Sequence, residues 1–284
     1  MSDVASISRP STPPGPEHSA SRQLRTLVRQ EVRRSVHPRR LLPILLTAAL
    51  PVVISLLRAV FLPAVLRTDL AATTASLSTT MHLFLFRFIL FFCVAWLFVR
   101  VFRGEIADRS LHYSLLAPLP RRILVLGRYL GALVTAWLVF VPVTALVWGL
   151  HYAPHGLEAF VAHLGVGGVR EILLYELQTV AACAAYGAVF LLAGLLVRNP
   201  MVPAALFLGW EMLTPLLPPT LKNVSVVHHL GAWAPVAPDL GRFVFRAHEQ
   251  HPLAAAAALA AIVAAALVLA TVTARRLEVA YSAD

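Results

Sequence analysis

Lysine and clustered acid are almost missing from this chain. Lys222 is the only lysine, and Thr220-Leu221 rather than a glycine-rich turn precede it. A phosphate-cradling loop needs its lysine after such a turn to reach the phosphates, so this polypeptide does not bind ATP by that route. The five aspartates, Asp3, Asp69, Asp108, Asp239 and Asp284, are each isolated. Membrane enzymes that hold a metal–diphosphate use closely spaced aspartates, so that class is disfavoured. No G-x-S-x-G elbow occurs, which argues against a serine hydrolase. The string His248-Glu249-Gln250-His251 is one residue short of a zinc-protease motif, because two histidines share a metal on one helix face at i and i+4.

Cysteine is scarce too. Cys93 and Cys183 lie far apart inside apolar blocks, with no C-x-x-C pair, so neither a disulfide framework nor a zinc ribbon is indicated. They read as small buried hydrophobes. Charge is also low: 13% of residues are charged and 58% hydrophobic, with a mean hydropathy of +0.74. A soluble domain carries about a quarter charged residues to keep its surface wet. Here that surface is missing, and lipid is the expected solvent. The net charge of +10 does not point to nucleic acid, since no basic face interleaved with aromatics lies outside the apolar blocks.

What the chain does have is six apolar blocks: 41–62, 81–97, 129–150, 173–197, 201–217 and 252–272. A helix needs about 20 residues to cross a bilayer. The fifth block is short and carries Pro203, Glu211 and Pro215. Charge parity supports counting it. With six spans, 17 of the 24 basic residues fall on one side, five fall on the other, and Arg58 and Arg87 lie within spans. Omitting the fifth would move Arg275 and Arg276 outside, against the positive-inside rule. The expectation is an all-α integral membrane protein, multi-pass in the plasma (inner) membrane, with both termini cytoplasmic.

Residues 1–20 are Pro/Ser-rich with few large apolar side chains and read as a disordered tail. No apolar core follows within about 30 residues, unlike a signal peptide. From Ser21 to His37, Leu24, Leu27, Val28 and Val32 recur at helical spacing beside a stripe of Arg25, Arg29 and Arg33. Ser21 caps this helix in the sequence reading and Pro38 stops it. A basic amphipathic helix suits a membrane surface; docking on a protein partner is the other reading. A single transmembrane domain then runs over 21–276, with 277–284 as a cytoplasmic tail. The Ala-rich last block is expected to pack against other helices. The outer segment 218–251 mixes apolar and polar residues, as a re-entrant or interfacial structure does.

Four charges stand inside the spans: Arg58, Arg87, Glu176 and Glu211. A lone charge there costs several kcal/mol, so partners or water are expected. Helical rise puts Arg87 and Glu211 at one depth, and Arg58 and Glu176 nearer the outer surface. Histidines are plentiful on that outer side. His151 and His155 have metal-binding spacing, but Pro154 between them weakens the helix, and no metal site or cofactor is expected.

The loop between the second and third blocks carries the most specific pattern. It reads Arg103-Gly104-Glu105, then Asp108-Arg109-Ser110-Leu111, then Leu115-Leu116-Ala117-Pro118, with Arg121 and Gly127-Arg128 following. A short helix with Leu111, Leu115 and Leu116 on one side and Arg109 and Arg121 at its rim would fit a groove on a partner protein. The pattern resembles the coupling segment of type-2 ATP-binding-cassette permeases: an acidic residue after a Gly, a Gly-Thr pair, a Leu-rich helix, a Pro, an Arg, and a Gly-Lys opening the third span. Glu105 takes the acidic position, Ser110 the Thr, Pro118 the Pro and Arg121 the Arg. Arg109 in place of Gly, Ser110 in place of Thr and Arg128 in place of Lys depart from it.

The resemblance implies a six-span permease half of an exporter, without catalytic residues. Its expected partners are a separate ATP-binding-cassette ATPase subunit, a second copy or homologous permease, and membrane lipid, with no nucleic acid. A membrane anchor or assembly protein, and a membrane enzyme without a recognisable motif, are the competing readings.

Overall fold

The computed structural model of the protein describes residues 16–61, 69–107, 120–197, 201–214, 218–236 and 250–275. All regular structure among them is helical. In order these are α1 (Pro16–Ser35), α2 (Pro38–Phe61), α3 (Leu70–Thr79), a π-helical stretch (Thr80–Leu90), and α4 (Phe91–Ala107). Then follow α5 (Arg121–Tyr152), α6 (Leu157–His163), α7 (Val169–Leu196) and α8 (Met201–Leu213). The short α9 (Pro219–Lys222) and α10 (Val226–Gly231) precede α11 (Pro252–Arg275).

Five of the helical stretches are long and apolar enough to cross a membrane: 38–61, 70–103, 121–155, 157–196 and 252–275. The fifth apolar block behaves differently. Its helix α8 has 13 residues, roughly 20 Å at 1.5 Å per residue, against about 30 Å of hydrocarbon. The chain then continues into α9 and α10, where Val226, His229 and Leu230 are buried.

The second and fourth blocks are longer than the sequence suggested. The helix expected over 81–97 already begins at Leu70, where the Asp69 carboxylate accepts from the Ala71 N–H as an N-cap. Thr74, Thr79 and Thr80 hydrogen-bond back to carbonyls one turn earlier, which satisfies their hydroxyls within their own helix. Block four is preceded by α6 and a π turn over Leu164–Gly168. Gly156 enters α6 with φ +84°, a left-handed conformation that a side chain would oppose.

Helix α1 starts at Pro16, ahead of the Ser21 cap and inside the stretch read as tail. Proline is pre-organised for the first helical position. Pro38 opens α2 after a break at Val36-His37, so the stop was placed correctly. The apolar side of α1 does not lie in lipid. It docks on α5, where a Cβ on Gly131 would fall 2.5 Å from the Glu31 Cβ and one on Gly127 2.8 Å from the Leu27 Cβ. This Gly-x-x-x-Gly pair lets the two backbones approach closely. Arg22, Arg25, Arg29 and Arg33 remain exposed on the other side.

The core sits between α4, α5 and α7. A Cβ on Gly194 would come within 2.9 Å of the Val99 carbonyl, and one on Gly187 would strike the Phe98 ring. Arg128 donates to the Val101 carbonyl and stacks over Phe102; Arg103 donates to the Val197 carbonyl. Helix α11 buries Ala255, Leu259, Ala266, Ala270 and Ala274 mainly against α7, as its small residues led one to expect. Helix α2 buries only Ile44, Ala48, Pro51 and Ser55 and offers most of its leucines outward.

Candidate functional site

Two buried carboxylates organise the polar interior. The first is Glu211, near the C-terminal end of α8 and 1% exposed. Its carboxylate accepts from the Ser225 hydroxyl at 2.6 Å and from the backbone N–H groups of Val226 at 2.9 Å and Val227 at 3.3 Å. The Ser225 hydroxyl in turn accepts from the His228 N–H. Glu211 therefore satisfies the first free amide donors of α10 and fastens the start of α10 to α8. Such charge-assisted bonds are about twice as strong as neutral ones.

Arg87 lies across from this joint. It is 4% exposed and within electrostatic reach of both Glu211 and Tyr186. The helix that carries it is wound as π over Thr80–Leu90; such windings are uncommon and gather at functional positions. His82, on the same stretch, sits edge-on to Phe86 and 6.1 Å from the Tyr175 ring. Among the described residues, the Tyr186 hydroxyl, the Trp210 indole N–H and His82 Nε2 are buried without a hydrogen-bond partner. Arg87 and Glu211, expected at one depth, are close enough to influence each other electrostatically, but the direct ligands of Glu211 come from α10 and its cap.

The second carboxylate is Glu171, 7% exposed at the start of α7. Its Oε2 accepts from the Tyr152 hydroxyl at 2.9 Å and the Trp148 indole at 3.3 Å, and meets His163 Nε2 at 3.1 Å. His163 stacks on Tyr152 with ring centres 4.2 Å apart. Gly168 passes directly beneath that imidazole, where a Cβ would lie 2.7 Å from it. The sequence reading did not single out Glu171, because Arg170-Glu171 looks like an ordinary charged flank. The signal was available in Trp148 and Tyr152, one turn apart and facing the same way.

Arg58 and Glu176 form no ion pair with each other. Arg58 Nη2 donates to the Thr73 hydroxyl at 3.1 Å, and Thr73 also bonds His155 Nε2. Among the described residues, Glu176 Oε2 is buried without a hydrogen-bond partner. His151 and His155 diverge, since His151 Nδ1 meets the Val147 carbonyl on its own helix while a 3₁₀ turn carries His155 towards Thr73. Among the described residues, no three metal-ligating side chains converge. Each carboxylate cluster joins segments that are separate in sequence, so its chemistry is that of a joint.

Of the residues expected from the sequence to couple to an ATPase, Glu105 lies in the last turn of α4 and Arg121 opens α5. Arg109, Ser110, Leu111, Leu115, Leu116 and Pro118 lie outside the described residues. No family model matches the chain, and no curated protein is significantly similar to it.

Proposed function

We propose that this chain is the membrane-spanning permease subunit of an ATP-binding-cassette exporter, providing the substrate path while a separate subunit hydrolyses ATP. The observation that carries the reading is the sequence pattern from Arg103 to Arg128, with Glu105, Ser110, the Leu115-Leu116 pair, Pro118 and Arg121 in coupling positions. Several features support it. An amphipathic helix clasped to the third membrane helix, long apolar helices, and a short α8 that folds back through α9 and α10 suit such a permease half. In this reading α8 and the segment joined to it make the fifth of six crossings. Both termini then face the cytoplasm, and a second copy or a homologous permease completes the path.

In the proposed mechanism, closure of the ATPase pair pushes on the helix containing Leu111 and Leu115. The thrust enters the bundle through α4 and α5, which the Arg128–Val101 bond ties together, and passes to α7 through the close contacts of Gly187 and Gly194 with α4. The carboxylate joints keep the outer ends of the helices in register while the inner ends move.

The test is co-purification of the ATPase with Leu111→Asp and Leu115→Asp variants, alongside permease abundance. Burying an uncompensated charge at the docking face costs several kcal/mol, so the ATPase should be lost while the permease stays in the membrane. Retention at the wild-type ratio in both variants removes the coupling assignment.

A further inference from the structure

Three segments meet at one hydroxyl where α2 ends and α3 begins. Arg58, in the last turn of α2, donates from Nη2 to the Thr73 hydroxyl at 3.1 Å. Thr73 Oγ also lies 3.1 Å from Nε2 of His155, in the 3₁₀ turn after α5. Thr73 is fully buried, whereas His155 is partly exposed. The bond matters to α2 because packing holds this end weakly: no residue of the helix beyond Ser55 is buried. The direction of each bond follows from the donors present. A guanidinium only donates, so Thr73 Oγ accepts from Arg58 and its single proton goes to His155. His155 Nε2 then carries a lone pair, which requires a neutral imidazole with its proton on Nδ1. A protonated His155 reverses that bond. Two cations then donate to one oxygen, and the buried Thr73 proton loses its acceptor.

We propose that Arg58, Thr73 and His155 form an acid-sensitive latch, which holds the end of α2 to α3 while His155 is neutral and releases it when His155 takes up a proton. The charges around His155 come from several elements. Arg58 on α2 and His163 on α6 oppose a proton there, and Asp69, the N-cap of α3, favours one. Asp69 is exposed, so water screens it, whereas Arg58 shares an oxygen with His155. On α5, the Tyr152 ring centre lies 6.1 Å from that of His155, and its hydroxyl goes to Glu171. Glu171 on α7 meets His163 rather than His155. His151 lies within electrostatic reach of Arg58 but is fully buried, with Nδ1 on the Val147 carbonyl. His155 is thus the exposed member that a change of pH reaches first, and an imidazole changes charge between about pH 5 and 8.

The test uses the full chain in phosphatidylcholine nanodiscs, with Cys93 and Cys183, both buried, replaced by alanine. Spin-label pairs are placed at exposed positions beside the latch, Phe61 with Ala75 and Phe61 with Leu157. A reference pair joins Leu138 on α5 to Leu173 on α7. On acidification from about pH 8 to about pH 5, both latch pairs should gain a longer-distance population, several-fold larger at the acid end. The reference pair should not change. His155→Gln should keep the short distances at both ends, because its amide oxygen accepts from Thr73 and does not titrate. His163→Gln should still open. Unchanged latch distances in the chain that retains His155 overturn the proposal without recourse to a latch variant. So does a reference pair that lengthens in step, which would mean general acid unfolding, or opening that persists in His155→Gln.

Discussion

Glu211 and Glu171 are both buried in an apolar bundle, yet they are satisfied by different means. Backbone N–H groups and a serine hydroxyl hold Glu211; three ring side chains hold Glu171 through one oxygen. Backbone donors cannot swing away when their acceptor is lost, whereas aromatic side chains can relax. Glu211 is therefore the more rigid joint and the less replaceable residue. The lesson is that an intramembrane carboxylate is not identified by its charge partner alone. Here the first ligands of Glu211 come from the start of α10, beyond α9, and Arg87 acts at longer range.

The strongest challenge to that comparison is a charge exchange. Arg87→Glu combined with Glu211→Arg should not rescue the loss caused by either change, because an arginine at 211 cannot accept from the Val226 and Val227 amides. Abundance in the membrane and thermal unfolding in detergent read the outcome; recovery in the double variant would mean that a simple ion pair dominates. Glu211→Ala comes next, with an expected loss of about 3–5 kcal/mol, since it orphans the buried donors of Ser225, Val226 and Val227 together. Glu171→Gln should cost far less, roughly 0.5–1.5 kcal/mol, because the amide oxygen can replace Oε2. If Glu171→Gln proves as damaging as Glu211→Gln, the distinction between backbone and side-chain joints is lost.

A different pair sharpens the account at the α1 end. Gly131→Leu should release α1 from α5 at a cost of about 1–3 kcal/mol through overpacking, detected as faster proteolysis between Ser21 and Ser35. Arg25→Ala and Arg29→Ala on the exposed side of the same helix should change stability by no more than about 0.5 kcal/mol. Equal protease sensitivity in the two kinds of variant would place the docking face elsewhere.

The sequence revealed the helices most readily where they are apolar throughout. Lipid leaves backbone groups no partner but the helix itself, so α2 and α11 appear close to their expected positions, whereas α5 begins eight residues before the expected block, at Arg121. The stretch from Leu70 to Thr80 was hidden by its threonines and serines; Thr74, Thr79 and Thr80 bond back within their own helix, while Thr73 and Ser78 bond to other segments. At the candidate site, Glu211 and Arg87 were visible as charges in apolar blocks. The Glu211 ligands were not, because a backbone cap has no side-chain signature beyond Ser225. The side of α1 that docks was legible from its spacing, but its seat on Gly127 and Gly131 required knowing which helix lay beside it.

The most direct test of the permease reading is affinity purification of the full chain from its native membrane in mild detergent, with ATP hydrolysis measured on the eluate. The account predicts a stoichiometric subunit bearing a glycine-rich phosphate loop with its lysine, and ATPase activity that depends on that lysine. A pure, intact chain that elutes without such a subunit, under conditions that preserve other membrane complexes, would contradict it.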